Sequence, residues 1–273
     1  MDYLDAIILG IVEGLTEFLP VSSTGHLTIA EKLLGHEIDS PAVTAFTAVI
    51  QMGAIAAVLV YFWGDIWRIA KAWFAGVFKP EYRGSYDHRL GWYIIVGSVP
   101  IGMVGFLARD LITGPLRSLW VVAIALIAWS AVMLYAERAG RQERGEDQLT
   151  LRDALVMGLV QCIALVPGVS RSGATISAGL VQGLDRVAAT RMAFFLGIPS
   201  LLAAGVYELK DVHGIGAGPT IVGTLVSFVV AYASVAWLLK FVAHHSIGKF
   251  VPYRVVLGLV VIVLLATNVM SPT

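Results

Sequence analysis

Apolar residues run in long blocks along this chain. Six blocks, roughly 42–62, 91–108, 118–136, 190–207, 219–240 and 253–270, are long and apolar enough to cross a bilayer as helices, which takes about 20 residues. Several are short and carry Gly or Pro, as in VGSVPIG at 96–102. A kink is expected there, with Ser98 bonding back to its own helix, because neighbouring helices can satisfy the backbone groups that Pro100 frees. Trp63, Trp67, Trp92 and Trp120 stand near span ends, where aromatic rings bridge the polar and apolar layers.

Two stretches break this pattern. Residues 4–19 hold Glu13, Thr16 and Glu17 and stop at Pro20, and 22–34 then hold three hydroxyls and His26. Residues 153–166 and 170–184 likewise flank Pro167-Gly168. Neither stretch makes a good full crossing. Each is expected to form a re-entrant helix pair that runs to mid-depth, breaks and returns. Such backbone is tolerated at membrane depth only inside protein or beside a wet cavity. The two stretches also look like copies. AIILGIVEGLTEFLPVSSTGHL at 6–27 and ALVMGLVQCIALVPGVSRSGAT at 154–175, shifted by 148, share Ala6/Ala154, Gly10/Gly158, Val12/Val160, Val21/Val169, Ser22/Ser170 and Gly25/Gly173. Pro20 meets Pro167 after a one-residue slip.

Composition fixes the class. The chain is 58% hydrophobic and 14% charged, with a mean hydropathy of +0.80, whereas a soluble domain carries about a quarter charged residues. Net charge is zero, so no nucleic acid partner is expected. Cys162 lies in an apolar run and reads as a small core residue. The start, MDYLDAI, lacks the basic segment of a cleavable signal peptide.

The cations give an orientation. If each re-entrant pair returns to the side it left, the connections 63–90, 138–152, 182–191 and 240–254 share one side and hold 14 of the 19 Lys and Arg. Lys32, Arg109, Arg117 and Lys210 lie opposite, and Arg171 lies inside a re-entrant pair. This bias puts the first group in the cytoplasm and both termini outside. The single membrane domain, 1–273, then divides into halves 1–148 and 149–273, each a re-entrant pair plus three spans. Three is odd, so the halves run in opposite senses. The expected fold is an all-α polytopic membrane protein: an inverted-topology repeat of six transmembrane helices plus two re-entrant helix pairs. Sites in such folds lie where the repeats meet near mid-membrane.

The polar residues at that meeting point carry the chemistry. Glu13 and Glu17, spaced i, i+4, share a helix face at roughly 5–6 Å. Two carboxylates so close in an apolar setting need a shared proton or a cation, and intramembrane acids are costly unless functional. In Ser22-Ser23-Thr24-Gly25-His26, three hydroxyls and a histidine exceed what a helix cap requires. Ser23 and His26 are one turn apart, the setting of an activated nucleophile. In Ser170-Arg171-Ser172-Gly173-Ala174-Thr175, helix-start N–H groups, hydroxyls and a planar guanidinium suit an anion. The partner of Arg171 is either a ligand phosphate or Glu17 across the repeat interface. His36, His88, His213, His244 and His245 read as solvated positions in loops or at span ends.

GIVEGLTEFLPVSSTGH at 10–26 and LVPGVSRSGAT at 165–175 resemble the two signatures of the undecaprenyl-diphosphatases, the bacitracin-resistance family of bacterial inner membranes. The resemblance covers essentially the whole chain in length and segment order. It implies hydrolysis of undecaprenyl diphosphate to the monophosphate, the recycled lipid carrier of cell-wall synthesis, plus inorganic phosphate. It further implies a multi-pass protein of the bacterial inner membrane among membrane lipids, with its site open to the outer, periplasmic face. A divalent cation (Mg or Ca), a homodimer, and competition from bacitracin binding the polyprenyl diphosphate substrate belong to the same implication. Residue by residue, it makes Glu17, Ser23, His26 and Arg171 catalytic. Glu13 and Glu17 would hold the metal, and Ser22, Thr24, Ser170, Ser172 and Thr175 would bind phosphate. The attacking atom stays open between Ser23, His26 and water. A transporter would share the architecture, but a Ser–His–Arg–Glu set is more than an anion carrier needs.

Overall fold

The structure is a computed structural model that describes residues 1–38, 40–108, 111–112, 114–208 and 216–272. Its α-helices are α1 (Tyr3–Thr16), α2 (Ser23–Leu33), α3 (Pro41–Tyr61), α4 (Trp63–Phe78), α5 (Tyr86–Leu107), α6 (Leu119–Ala139), α7 (Leu151–Gln161), α8 (Arg171–Val181), α9 (Arg186–Glu208), α10 (Ala217–His244) and α11 (Val251–Ala266). Among the described residues the only β-type pairing is a bridge between Arg144 and Leu184. Six helices are long and apolar enough to cross a membrane: α3, α5, α6, α9, α10, and α11 taken with the 3-10 turn before it, Ile247–Ala266. The protein is a multi-pass membrane protein.

All six expected spans are present, with α5 and α9 starting a turn early. Their first turns are polar and capped: Ser85 Oγ accepts from the His88 N–H at 3.3 Å, and Asp185 Oδ1 from the Ala188 N–H at 2.7 Å. A hydropathy window passes over such turns. At the expected kink, Ser98 Oγ donates to the Ile94 carbonyl at 2.7 Å and reaches the Leu196 carbonyl of α9 at 3.2 Å. The connection after α3 is itself helical. Helix α4 buries Ile69 and Gly76 and exposes Trp63, Trp67, Phe74 and Phe78, an amphipathic face suited to an interface.

The two copied stretches fold as hairpins, α1–α2 and α7–α8. Helix α1 has 14 residues and α7 has 11, about 21 and 17 Å at 1.5 Å per residue, against a hydrocarbon layer of about 30 Å. Each hairpin is tied at its open end. His36, just past α2, meets Asp5 of α1 at 2.9 Å. Past α8, the Gln182 amide donates to the Asp153 carbonyl at 3.3 Å, and Arg144 binds both the Asp153 carboxylate and the Gln182 carbonyl. Burial works against the Asp153 charge, yet the bonds from Arg144 and Thr150 hold its carboxyl below its ordinary value.

Each hairpin leans on the other half of the chain: α1 packs on α10 and α7 packs on α5. Glycines let the backbones touch. A Cβ on Gly10 would lie 2.6 Å from the Gly223 carbonyl oxygen, and one on Gly158 would overlap the Gly97 carbonyl. Residues 172–180 of α8 are all buried, so its polar groups meet protein rather than lipid.

Loop contacts sort the connections onto two ends. At one end Met1, His36, Ser40, Val43, Phe46 and Gly216 line a cleft, Arg117 bonds Thr44 at 3.0 Å, and the Leu119 N–H donates to the Pro272 carbonyl at 2.9 Å. At the other, Arg191 joins Glu146 at 2.5 Å and Asp65 at 2.9 Å, Arg68 bonds Asp65 and Asp87, and Glu137 takes Arg186 at 2.8 Å and the Ile247 N–H at 2.7 Å. The four cation-rich connections therefore share one end. Three expectations change. Arg254, counted as a loop cation, is fully buried. His88 is buried beside Trp92, whose Nε1 donates to it at 3.2 Å. His36 carries the hairpin tie to Asp5. Arg109, Lys210 and His213 lie outside the described residues.

Candidate active site

The hairpin tips meet, and the backbone at both has the same shape. Ser22 and Ser170 hold φ of 79°, a region non-glycine residues rarely enter, and each caps the helix that follows. Ser22 Oγ accepts from the Gly25 N–H at 3.4 Å, and Ser170 Oγ from the Gly173 N–H at 3.1 Å. The tips also bond to each other. The Gly168 N–H donates to Ser22 Oγ at 3.1 Å, and Ser172 Oγ donates to the Leu19 carbonyl at 2.9 Å. Two helix N-termini thus converge with their N–H groups and positive dipole ends.

Glu17 is the hub. It caps α1 in helical geometry, so it and Glu13 share the expected face, and both are buried. Glu17 Oε1 accepts from Arg171 Nη2 at 3.1 Å, and Oε2 accepts from Ser23 Oγ at 2.5 Å. The Arg171 pairing left open by the sequence is therefore made with Glu17. Only one arm of the guanidinium is used: Nε and Nη1 are buried without a partner among the described residues, as are both carboxylate oxygens of Glu13. Buried polar groups are satisfied in the great majority of cases. Each hairpin thus buries a charged group with unmet hydrogen-bonding atoms.

The remaining expected residues take distinct places. His26 does not pair with Ser23. Its Nδ1 lies 2.7 Å from the Ser22 carbonyl and its Nε2 2.6 Å from the Tyr253 hydroxyl, with the two rings stacked at 5.5 Å. Thr175 Oγ1 bonds back to the Arg171 carbonyl at 2.7 Å, Ser170 and Ser172 share a hydroxyl bond at 3.2 Å, and Thr24 is exposed. Sequence reasoning missed Arg254. Its Nη1 donates to the Pro20 carbonyl at 3.0 Å, and its Nη2 to the Gly168 and Val169 carbonyls at 2.9 and 3.1 Å. One buried cation thus ties the break of one hairpin to that of the other. The signal was present: the expected span 253–270 contains Arg254, and an arginine inside a span is a functional flag.

Comparison with known proteins places the chain in a family. A family model described as bacitracin resistance protein BacA matches residues 6–260. The chain belongs to the BacA family. Among BacA relatives, "Undecaprenyl-diphosphatase 3" of Frankia casuarinae is 56% identical over 100% of both chains. "Undecaprenyl-diphosphatase" of Acidothermus cellulolyticus is 56% identical over 98% of each, and "Undecaprenyl-diphosphatase 1" of Streptomyces coelicolor is 58% identical over 97% of this chain and 96% of its own. The polar contacts described above at the hairpin tips lie within the matched residues.

Proposed function

We propose that this protein hydrolyses undecaprenyl diphosphate to undecaprenyl phosphate and inorganic phosphate, returning the lipid carrier to cell-wall synthesis and giving bacitracin resistance. The observation that carries the reading is the Ser23–Glu17–Arg171 set at the meeting of two helix N-termini. The open Arg171 edge and the helix N–H groups hold the terminal phosphoryl and stabilise its developing charge. Ser23 Oγ forms a bond to the terminal phosphorus as the bridging P–O bond breaks, releasing undecaprenyl phosphate, and its proton passes to Glu17. Water then attacks the phosphoserine and gives a proton to His26, which passes it on to solvent. The P–Oγ bond breaks and Glu17 returns the serine proton. Ser22, Ser170 and Ser172, bonded at the tips, and Thr175, bonded back to Arg171, keep the two helix starts in shape around the phosphate, and the exposed Thr24 offers it a hydroxyl.

Glu13, whose two buried oxygens have no partner among the described residues, fits a hard, oxygen-preferring cation, Mg²⁺ or Ca²⁺, which Glu17 would help to hold. No three His, Cys, Asp or Glu among the described residues converge as a cage; Glu13 and Glu17 would hold the cation, with room left for substrate oxygens and water, as is usual for Mg²⁺. When bound, the cation neutralises diphosphate charge. We further read the hairpins as re-entrant and the halves as an inverted repeat, supported by the matching tips and the exchanged packing of α1 on α10 and α7 on α5. Location in the bacterial inner membrane and a site open to its outer face follow from the cation bias and the family. A homodimer, and competition by bacitracin through sequestering the substrate, rest on the family resemblance.

The direct test is phosphate release by detergent-purified protein given a prenyl diphosphate. Release should stop in excess chelator and return with Mg²⁺ or Ca²⁺. No release under any cation would favour the transporter reading. Full release in excess chelator would leave the acids as proton carriers only.

A further inference from the structure

The internal copy pairs each residue of the first hairpin with one of the second, and at one buried pair the chemistry changes. Gln161 stands at the position of Glu13. Both are fully buried, and neither has a hydrogen-bond partner on either side-chain heteroatom among the described residues. The frames around them match. Gly10 and Gly158, three residues earlier, make the equivalent backbone contacts with Gly223 and Gly97. Ser22 and Ser170, nine residues later, share the same φ of 79°. Gln161 precedes the start of α8 by as many residues as Glu13 precedes the start of α2, although a 3-10 turn, Cys162–Leu165, follows Gln161 where α1 stays helical through Glu17. The start of α8 is Arg171, whose Nε and Nη1 are buried and unpartnered among the described residues. Packing agrees: α7 lies on Gly97 of α5, Leu196 of α9 also lies on Gly97, and the next residue, Gly197, lies against Arg171 Nη1.

An amide sealed away with nothing to bond is destabilising, and retained cost of this kind marks functional sites. Core packing does not require it, because an apolar side chain of the same volume would remove the unmet groups. We propose that Gln161 contacts the substrate: its Nε2 donates to a non-bridging oxygen of the diphosphate that Arg171 holds. The inference rests on the diphosphatase reading and divides the labour between the copies. The carboxylate of the first hairpin faces the cation, and the neutral amide of the second faces the phosphate. A carboxylate at 161 would repel the same oxygens.

The test is Gln161→Leu and Gln161→Met, purified in detergent and assayed on farnesyl diphosphate with Mg²⁺. Three readouts are taken: melting temperature, kcat/KM for phosphate release, and inhibition by inorganic phosphate. Melting should be unchanged or higher. The kcat/KM should fall about 10- to 100-fold, the weight of one hydrogen bond to a charged group. Inhibition by phosphate should weaken in step, and Gln161→Glu should lose more than either. Wild-type kcat/KM and phosphate inhibition in an apolar variant would overturn the proposal. So would a large drop in melting temperature in both apolar variants, which would make the amide structural. Glu17→Gln separates the two claims. If it stays active, the site reading fails; if it is dead while Gln161→Leu is normal, only the Gln161 contact fails.

Discussion

Arg171 opens a helix, where the macrodipole disfavours a cation. It is held there by Glu17 at 3.1 Å, with Nε and Nη1 buried and unpartnered among the described residues. Lysine would keep the charge and lose the planar fork. Arg171→Lys should therefore lower kcat/KM roughly 100-fold or more while the protein still purifies as a folded species. A variant keeping most of its activity would make Arg171 a point charge. The need for this pairing was legible, because an arginine at membrane depth without a carboxylate in its own segment must find an anion elsewhere. The Ser23 contact was not. Spacing put Ser23 beside His26, but the tip backbone at Ser22 turns Ser23 toward Glu17 at 2.5 Å and leaves His26 to Tyr253. Sequence spacing along one helix does not register a partner arriving from another.

Helices here approach through glycine. Gly158 sits against the Gly97 carbonyl so closely that a methyl group has no room. Gly158→Ala should lower stability by about 1–3 kcal/mol, the usual cost of overpacking. Gly64→Ala, with nothing within 4 Å, should leave melting in detergent unchanged. Equal melting of the two variants would show that the α5–α7 contact gives way. The shared Gly10/Gly158 in the sequence announced that both hairpins had one design, though not which helices they would meet. Helix α4 escaped notice because its stripe of Trp63, Trp67, Phe74 and Phe78 is interrupted by Asp65, Arg68 and Lys71, so a hydropathy window sees only a mixed connection.

At the scale of the whole molecule, the cation count anticipated which connections share an end. Ion pairs among Asp65, Glu146, Arg191, Arg68 and Asp87 gather them, and the described part of the opposite end carries both termini. Arg254 was the exception, since a base beside an apolar run looks like a membrane flank until its carbonyl partners at both hairpin breaks are seen. Orientation can be read by labelling. In a Cys162→Ala background, single cysteines at Ser40 and Gly216 should react with a membrane-impermeant reagent on cells bounded only by their inner membrane. One at Arg141 should react only after lysis. The reverse pattern would turn the site toward the cytoplasm.

The central claim is that Glu17, joined to Ser23 and Arg171, drives diphosphate hydrolysis. It is tested most directly by Glu17→Gln, which keeps the shape and removes the charge, in the phosphate-release assay with purified protein and saturating cation. The account predicts a folded protein whose turnover falls by orders of magnitude. Turnover near that of the unmodified protein would contradict it.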